Sequence, residues 1–196
     1  KQIDEIAIGQ DDGLGAIFSG SAVVDENNTS GLFTDNKPGE SKLVALFTHD
    51  GGDTSKGYEK QSLAYSKDHG HTWIKPSLAK EGFQNPVISN ENNKYGRDFR
   101  DPKVFWHDDQ WMMVVAGGRA RLFTSDNLID WEEVADFGFD SECPDLFPLP
   151  VDGDSNNTKW VYTASGDWYI IGSLEKDKIV DGVQKYKFTP ETERLP

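Results

Sequence analysis

A chain of 196 residues, 36% hydrophobic and 28% charged, is long enough to bury a sizeable core as one domain and has neither a disordered nor a membrane-embedded composition. Acidic residues outnumber Lys and Arg by 34 to 20, and a net charge of -14 repels phosphate backbones, so nucleic acid is excluded as an expected partner while a neutral sugar carries no such penalty. No apolar run approaches the roughly 20 residues of a membrane span, so no membrane partner is expected. The single cysteine, Cys143, excludes an internal disulfide framework and any multi-cysteine zinc site.

Taken in chain order, Ala16 to Val24 reads as a buried strand broken by the small residues Ser19-Gly20-Ser21. Leu43 to Thr48 is a strong strand, followed by a turn at Asp50 to Asp53. Gln61 to Ser66 is another, closed by Lys67 to Gly70, with Trp73 beyond it. Pro76 to Asp98 has weak periodicity and many Asn residues, which predicts a long connection. Strands follow at Asp101 to Trp106, Trp111 to Ala116, Arg121 to Ser125 and Trp131 to Ala135. Asp145 to Leu149 and Trp160 to Ala164 are predicted as strands separated by a polar loop, Asp152 to Thr158, and Trp168 to Leu174 completes the reading. No segment sustains helical apolar spacing beyond one or two turns.

The chain repeats itself. Tyr65-Ser66-Lys67-Asp68 with Trp73 matches Phe123-Thr124-Ser125-Asp126 with Trp131, and Phe18 to Val24 lies over Phe99 to Phe105. Aligning Pro144 with Pro102 adds a third copy. Units with an innermost strand carrying a polar motif, followed by further strands, predict an all-β fold of the β-propeller type, with about three blades at roughly 1–75, 98–136 and 140–190. In two of these units a carboxylate sits just ahead of a proline and an apolar strand: Arg100-Asp101-Pro102 and Glu142-Cys143-Pro144. Such a carboxylate is costly unless it is hydrogen-bonded or functional.

These motifs make the chain similar to the β-fructofuranosidases (invertase, inulinase, levanase) of glycoside hydrolase family 32. The resemblance rests on Phe18-Ser19-Gly20-Ser21, Arg100-Asp101-Pro102 and Glu142-Cys143-Pro144 in that order, with Gln61 to Ser66 matching a further segment. It implies a five-bladed propeller followed by a β-sandwich, with a site where the innermost strands begin. By resemblance Glu142 is the general acid/base and Asp101 stabilises the transition state, while Arg100, Phe18 and Ser19 bind the fructosyl unit. The family's nucleophile belongs to a W-M-N-D-P-N-G motif upstream of F-S-G-S, and nothing in residues 1–17 matches it. The resemblance therefore covers the central blades, with the first blade, the fifth blade and the sandwich outside residues 1–196.

Retaining hydrolysis needs a nucleophilic carboxylate and a proton donor about 5 to 5.5 Å apart. Negative charge from Asp101 would help Glu142 keep its proton, and Arg100 would oppose that. Each residue also has a structural reading: Glu142 as a strand-end carboxylate held by backbone N–H groups, Asp101 as a turn former, Ser19 and Ser21 as small residues packed near the axis, Cys143 as a buried small side chain. Aromatic rings are expected in the core, or stacked on carbohydrate. His69 and His71 flank a turn, and Asp152, Asp154 and Asn156 do not complete a calcium loop, so neither metal nor cofactor is expected. The expected partner is sucrose or a fructan oligosaccharide, with hydrolysis or fructosyl transfer using the same residues. A non-catalytic sugar-binding fragment is the alternative, and self-association is expected of an unclosed ring of blades. The N-terminus does not look like a signal peptide, while sequons at Asn27, Asn28 and Asn156 lean towards secretion.

Overall fold

A computed structural model describes residues 6–10, 13–52, 58–76, 84–139 and 142–196. Eleven strands form three antiparallel sheets among these residues. The first contains β1 (Ile17–Val24), β2 (Leu43–His49) and β3 (Lys60–Ser66) in the order β1-β2-β3. The second contains β4 (Lys103–His107), β5 (Gln110–Val115), β6 (Arg121–Ser125) and β7 (Glu132–Asp136), and the third β8 (Asp145–Val151), β9 (Asp154–Ala164), β10 (Trp168–Val180) and β11 (Val183–Pro190), both in sequence order. Each sheet is a meander, as expected of propeller blades. The fold is all-β; among the described residues the one helical piece is a 3-10 turn at Glu91–Asn93.

The second sheet is buried on both faces, which explains the unbroken apolar run of β5. Because side chains alternate across a strand, Trp111, Met113 and Val115 pack towards the first sheet with Val44, Leu46 and Leu63. Met112 and Val114 pack the other way, towards Leu146, Tyr162, Ile170 and Phe188 of the third. A blade-on-blade stack thus buries two cores with one central sheet.

Two segments close the free edge of β3, where a bare strand would invite pairing with another chain. Ile74 bridges Tyr65, and Ile88 bridges Gln61, while the Asn85 side-chain amide bonds both the N–H and the C=O of Leu63 at 2.8 Å. The described part of the connection between Pro76 and Asp98 therefore serves as a fourth strand in pieces.

The structure corrects several details of the sequence reading. Asp154 to Thr158 is not loop but the start of β9, paired back on β8 around Asp152-Gly153. β11 is an additional strand, in which buried Tyr186 and Phe188 alternate with Lys185, Lys187 and Thr189. The turn repeat is also displaced by one residue. Ser66 bonds Asp68 as Ser125 bonds Asn127, and the Trp73 and Trp131 indoles cap the C=O groups of Gly70 and Leu128 at 3.1 and 2.9 Å. The hydroxyl of the last strand residue, rather than the aromatic ahead of it, defines the equivalence, so Asn127 replaces Asp126 as the partner of Asp68.

Candidate active site

The segment before β4 is fixed one residue at a time. Phe99 is fully buried and stacks on Tyr95 with ring centres 4.4 Å apart. Its C=O accepts from Gln61 Nε2 at 2.7 Å. Arg100 exchanges backbone hydrogen bonds with Ala116, at 3.2 and 2.9 Å. The Asp101 N–H donates to Thr48 Oγ1 at 3.0 Å, and that hydroxyl donates to Gln61 Oε1 at 2.8 Å. Thr48 and Gln61 are fully buried, so the first sheet grips the head of the second through a dry polar chain.

Both motifs share an unusual backbone. Asp101 has φ +61° and Cys143 φ +44°, although each precedes a proline, which disfavours the helical regions, and neither is glycine. Backbone strain of this sort persists where surroundings over-determine it and clusters at functional sites. Here the two strained residues touch: the Cys143 N–H donates to Asp101 Oδ2 at 3.0 Å, with the thiol 3.6 Å from the same oxygen.

Arg100 organises the charges. Its Nη1 donates to Glu59 Oε1 at 3.0 Å and Asp98 Oδ1 at 2.6 Å, its Nη2 donates to Glu142 Oε1, and its Nε lies 3.8 Å from Asp101 Oδ2. Burial weakens the guanidinium's hold on its proton, but the bonds from Glu142, Asp98 and Glu59 more than reverse this, so it is a fixed cation. Glu59 is pushed up, first by its own burial and against the pull of Arg100. The Cys143 thiol is likewise pushed up, by partial desolvation and then by the Asp101 charge, which keeps it a poor thiolate.

Glu142 projects into the open, 60% exposed at its side chain, while its C=O is pinned by the Ser165 N–H at 2.8 Å. It lines a cleft of about 370 Å³ together with Asp98, Ser165, Trp168 and Arg194, whose guanidinium lies 4.2 Å over the Trp168 ring. Phe18 and Ser19 lie at a β-bulge: Ile17 pairs with His49 and Gly20 with Phe47, so these two residues oppose Thr48 alone. Thr48 is the residue whose hydroxyl accepts from the Asp101 N–H, so the bulge lies opposite the strand position that anchors Asp101. Phe18 is 42% exposed there.

Of the residues singled out by sequence, Arg100, Asp101 and Glu142 form one contiguous cluster, while Phe18 and Ser19 lie on the bulge opposite Thr48. Ser21 has a structural task instead: its hydroxyl donates to Pro102 O and accepts from Val104 N, both at 2.9 Å, tying β1 to β4. Cys143 is exposed, not buried, with its N–H and thiol turned towards Asp101 Oδ2. Glu59, Asp98, Ser165, Trp168 and Arg194 were not read from sequence. Only Glu59 and Asp98 carried a signal there, as acidic residues flanking the Gln61 and Arg100 motifs.

Sheets stacked as propeller blades, with a cluster of carboxylates around one arginine at the heads of β4 and β8, define a β-propeller protein. The sequence model for "Glycosyl hydrolases family 32 N-terminal domain" matches residues 2–193, and the chain belongs to that family. It is 48% identical over 184 residues to a levanase of Bacillus subtilis, covering 84% of this chain and 25% of the levanase. It is 40% identical over 193 residues to an extracellular exo-inulinase of Aspergillus niger, covering 81% of this chain and 34% of that protein. Among solved structures, a fructofuranosidase from Schwanniomyces occidentalis complexed with fructose matches with a TM-score of 0.71 at 34% identity, covering 96% of this chain and 36% of that one. The chain thus spans about a third or less of the relatives it matches.

Proposed function

We propose that residues 1–196 carry part of the site of a retaining β-fructofuranosidase acting on sucrose or a fructan. Glu142 is the general acid/base, Asp101 stabilises the transition state, Arg100 positions both, and Phe18 and Ser19 border the fructosyl pocket. The observation that carries this reading is the sharing of Arg100 between Glu142 and Asp101 at the heads of two adjacent sheets. An exposed carboxyl beside a cleft can reach a glycosidic oxygen. A buried one held by a backbone N–H is suited to fixed contacts with sugar hydroxyls. The names of the relatives, levanase, exo-inulinase and fructofuranosidase, support a fructosyl substrate, and those described as extracellular support secretion.

The test is fructose release from sucrose, inulin and levan by the full-length protein carrying these residues. Turnover is expected with at least one of them and is expected to fall by about a hundredfold or more in Glu142→Gln, since positioned proton transfer contributes roughly 10² to 10⁴. Retained turnover in Glu142→Gln would remove it from the acid/base role. Residues 1–196 as an isolated polypeptide are expected to release no fructose, because no stretch of residues 1–17 matches the family's nucleophile motif. Such a polypeptide is also expected to self-associate through exposed apolar groups such as Leu149 and Tyr169 of the third sheet, and a monodisperse monomer in sedimentation would refute that.

A further inference from the structure

Glu59 stands behind Arg100 and has no part in the chemistry proposed above. It lies just ahead of β3 with its side chain only 15% exposed. One carboxylate oxygen accepts from Arg100 Nη1; the other, Oε2, is buried and finds no donor among the described residues. A half-satisfied buried carboxylate is disfavoured in any well-packed protein and calls for a reason. The same Nη1 is shared with Asp98, while Nη2 serves Glu142 and Nε faces Asp101.

We infer that Glu59 is a positioning residue that sets how much of the Arg100 charge is left for Glu142, and so tunes the proton affinity of the acid/base. The inference rests on the acid/base reading of Glu142. The groups facing Arg100 are Glu59, Asp98, Asp101 and Glu142, with the Cys143 thiol beyond Asp101. Asp98 is exposed and Asp101 is already engaged by Cys143. Glu59 is the buried, singly bonded competitor, and its burial raises its affinity for a proton, so its charge is the adjustable one. When Glu59 is ionised it offsets the guanidinium, and Glu142 keeps its proton to higher pH. When Glu59 is neutral the guanidinium charge falls more fully on Glu142, which then loses its proton at lower pH.

The experiment substitutes Glu59→Gln, which keeps an oxygen for Arg100 and removes the charge, in the full-length protein carrying residues 1–196. Two readouts are taken: kcat for fructose release against pH, and the carboxyl ¹³C titration of Glu142. Both the alkaline limb of kcat and the Glu142 midpoint are expected to move down by about half a pH unit or more. An unmoved or upward-shifted Glu142 midpoint would overturn the inference. Should the variant fail to fold, the wild-type titration decides. Glu59 and Glu142 are expected to titrate in two shared steps, and two independent single-step curves would overturn it. Turnover surviving in Glu142→Gln would instead defeat the acid/base reading, leaving the titration to report on the Glu59 coupling by itself.

Discussion

Asp101 and Glu142 occupy nearly the same place in two copies of one motif, yet the structure gives them opposite surroundings. Asp101 is the residue immediately before its proline and takes the left-handed backbone itself. It is 8% exposed, anchored at its N–H by Thr48 and at its carboxylate by Cys143. Glu142 is one residue further from its proline, so Cys143 takes the left-handed turn and Glu142 is carried outwards. A one-residue offset thus separates a buried carboxylate from an exposed one. Two carboxyl groups placed in different environments are how a single site assigns different tasks to the same chemistry.

The sharpest way to break this comparison is to remove the charge of the fixed partner. Asp101→Asn keeps an oxygen for the Cys143 N–H, so the fold is expected to survive, with an unchanged melting temperature. If Asp101 stabilises the transition state, kcat of the full-length protein should fall by about 10² to 10³, the loss typical of a preorganised electrostatic contact. A near-normal kcat would place Asp101 in a structural role only.

A smaller effect is expected from loosening the grip on Asp101 without touching its charge. Thr48→Val preserves shape but leaves the Asp101 N–H and Gln61 Oε1 without their partner in a fully buried setting. Each orphaned group costs about 1–3 kcal/mol, so denaturant unfolding should report a loss of roughly 2–6 kcal/mol. Ser21→Ala should be milder, about 1 kcal/mol, because its hydroxyl sits at a partly buried seam between β1 and β4. If Ser21→Ala proved as costly as Thr48→Val, the grip on the second sheet would be shared by the β1 seam, not concentrated in the Thr48–Gln61 chain.

Much of this arrangement was legible beforehand where the signal was local. Alternation and apolar runs located ten of the eleven strands, and the double burial of β5 was written in Trp111-Met112-Met113-Val114-Val115. Arg100, Asp101 and Glu142 stood out because carboxylates ahead of apolar strands need a reason. What sequence did not reveal depends on backbone conformation or on distant partners. The contact of Cys143 with Asp101 joins two residues of positive φ that no residue preference announces. Glu59 enters the site only through Arg100, 41 positions away. Ser21 and Ser19 look alike in sequence, yet Ser21 ties β1 to β4 while Ser19 lies on the bulge between Ile17 and Gly20.

The smallest expected effect lies at the far end of the first blade-like unit and serves as a control for the site. Asp68 is held below the usual carboxylate range, to about 2, chiefly by the Thr72 N–H and hydroxyl and then by Ser66. A depressed folded value means that its stabilisation is present above its ordinary pKa and is lost as pH falls towards the folded value. Between about pH 4 and pH 2 the melting temperature should therefore decline more steeply in the wild type than in Asp68→Asn. Asn127 already occupies the equivalent place in the second unit without a charge, bonding the N–H groups of Ile129 and Asp130 at 3.0 and 2.8 Å. The turn geometry is thus compatible with a neutral amide, and the fold should tolerate the change. Identical acid profiles for the two proteins would mean that the bonds to Thr72 do not hold in solution, while activity near neutral pH should be unaffected because Asp68 makes no contact with the Arg100 cluster.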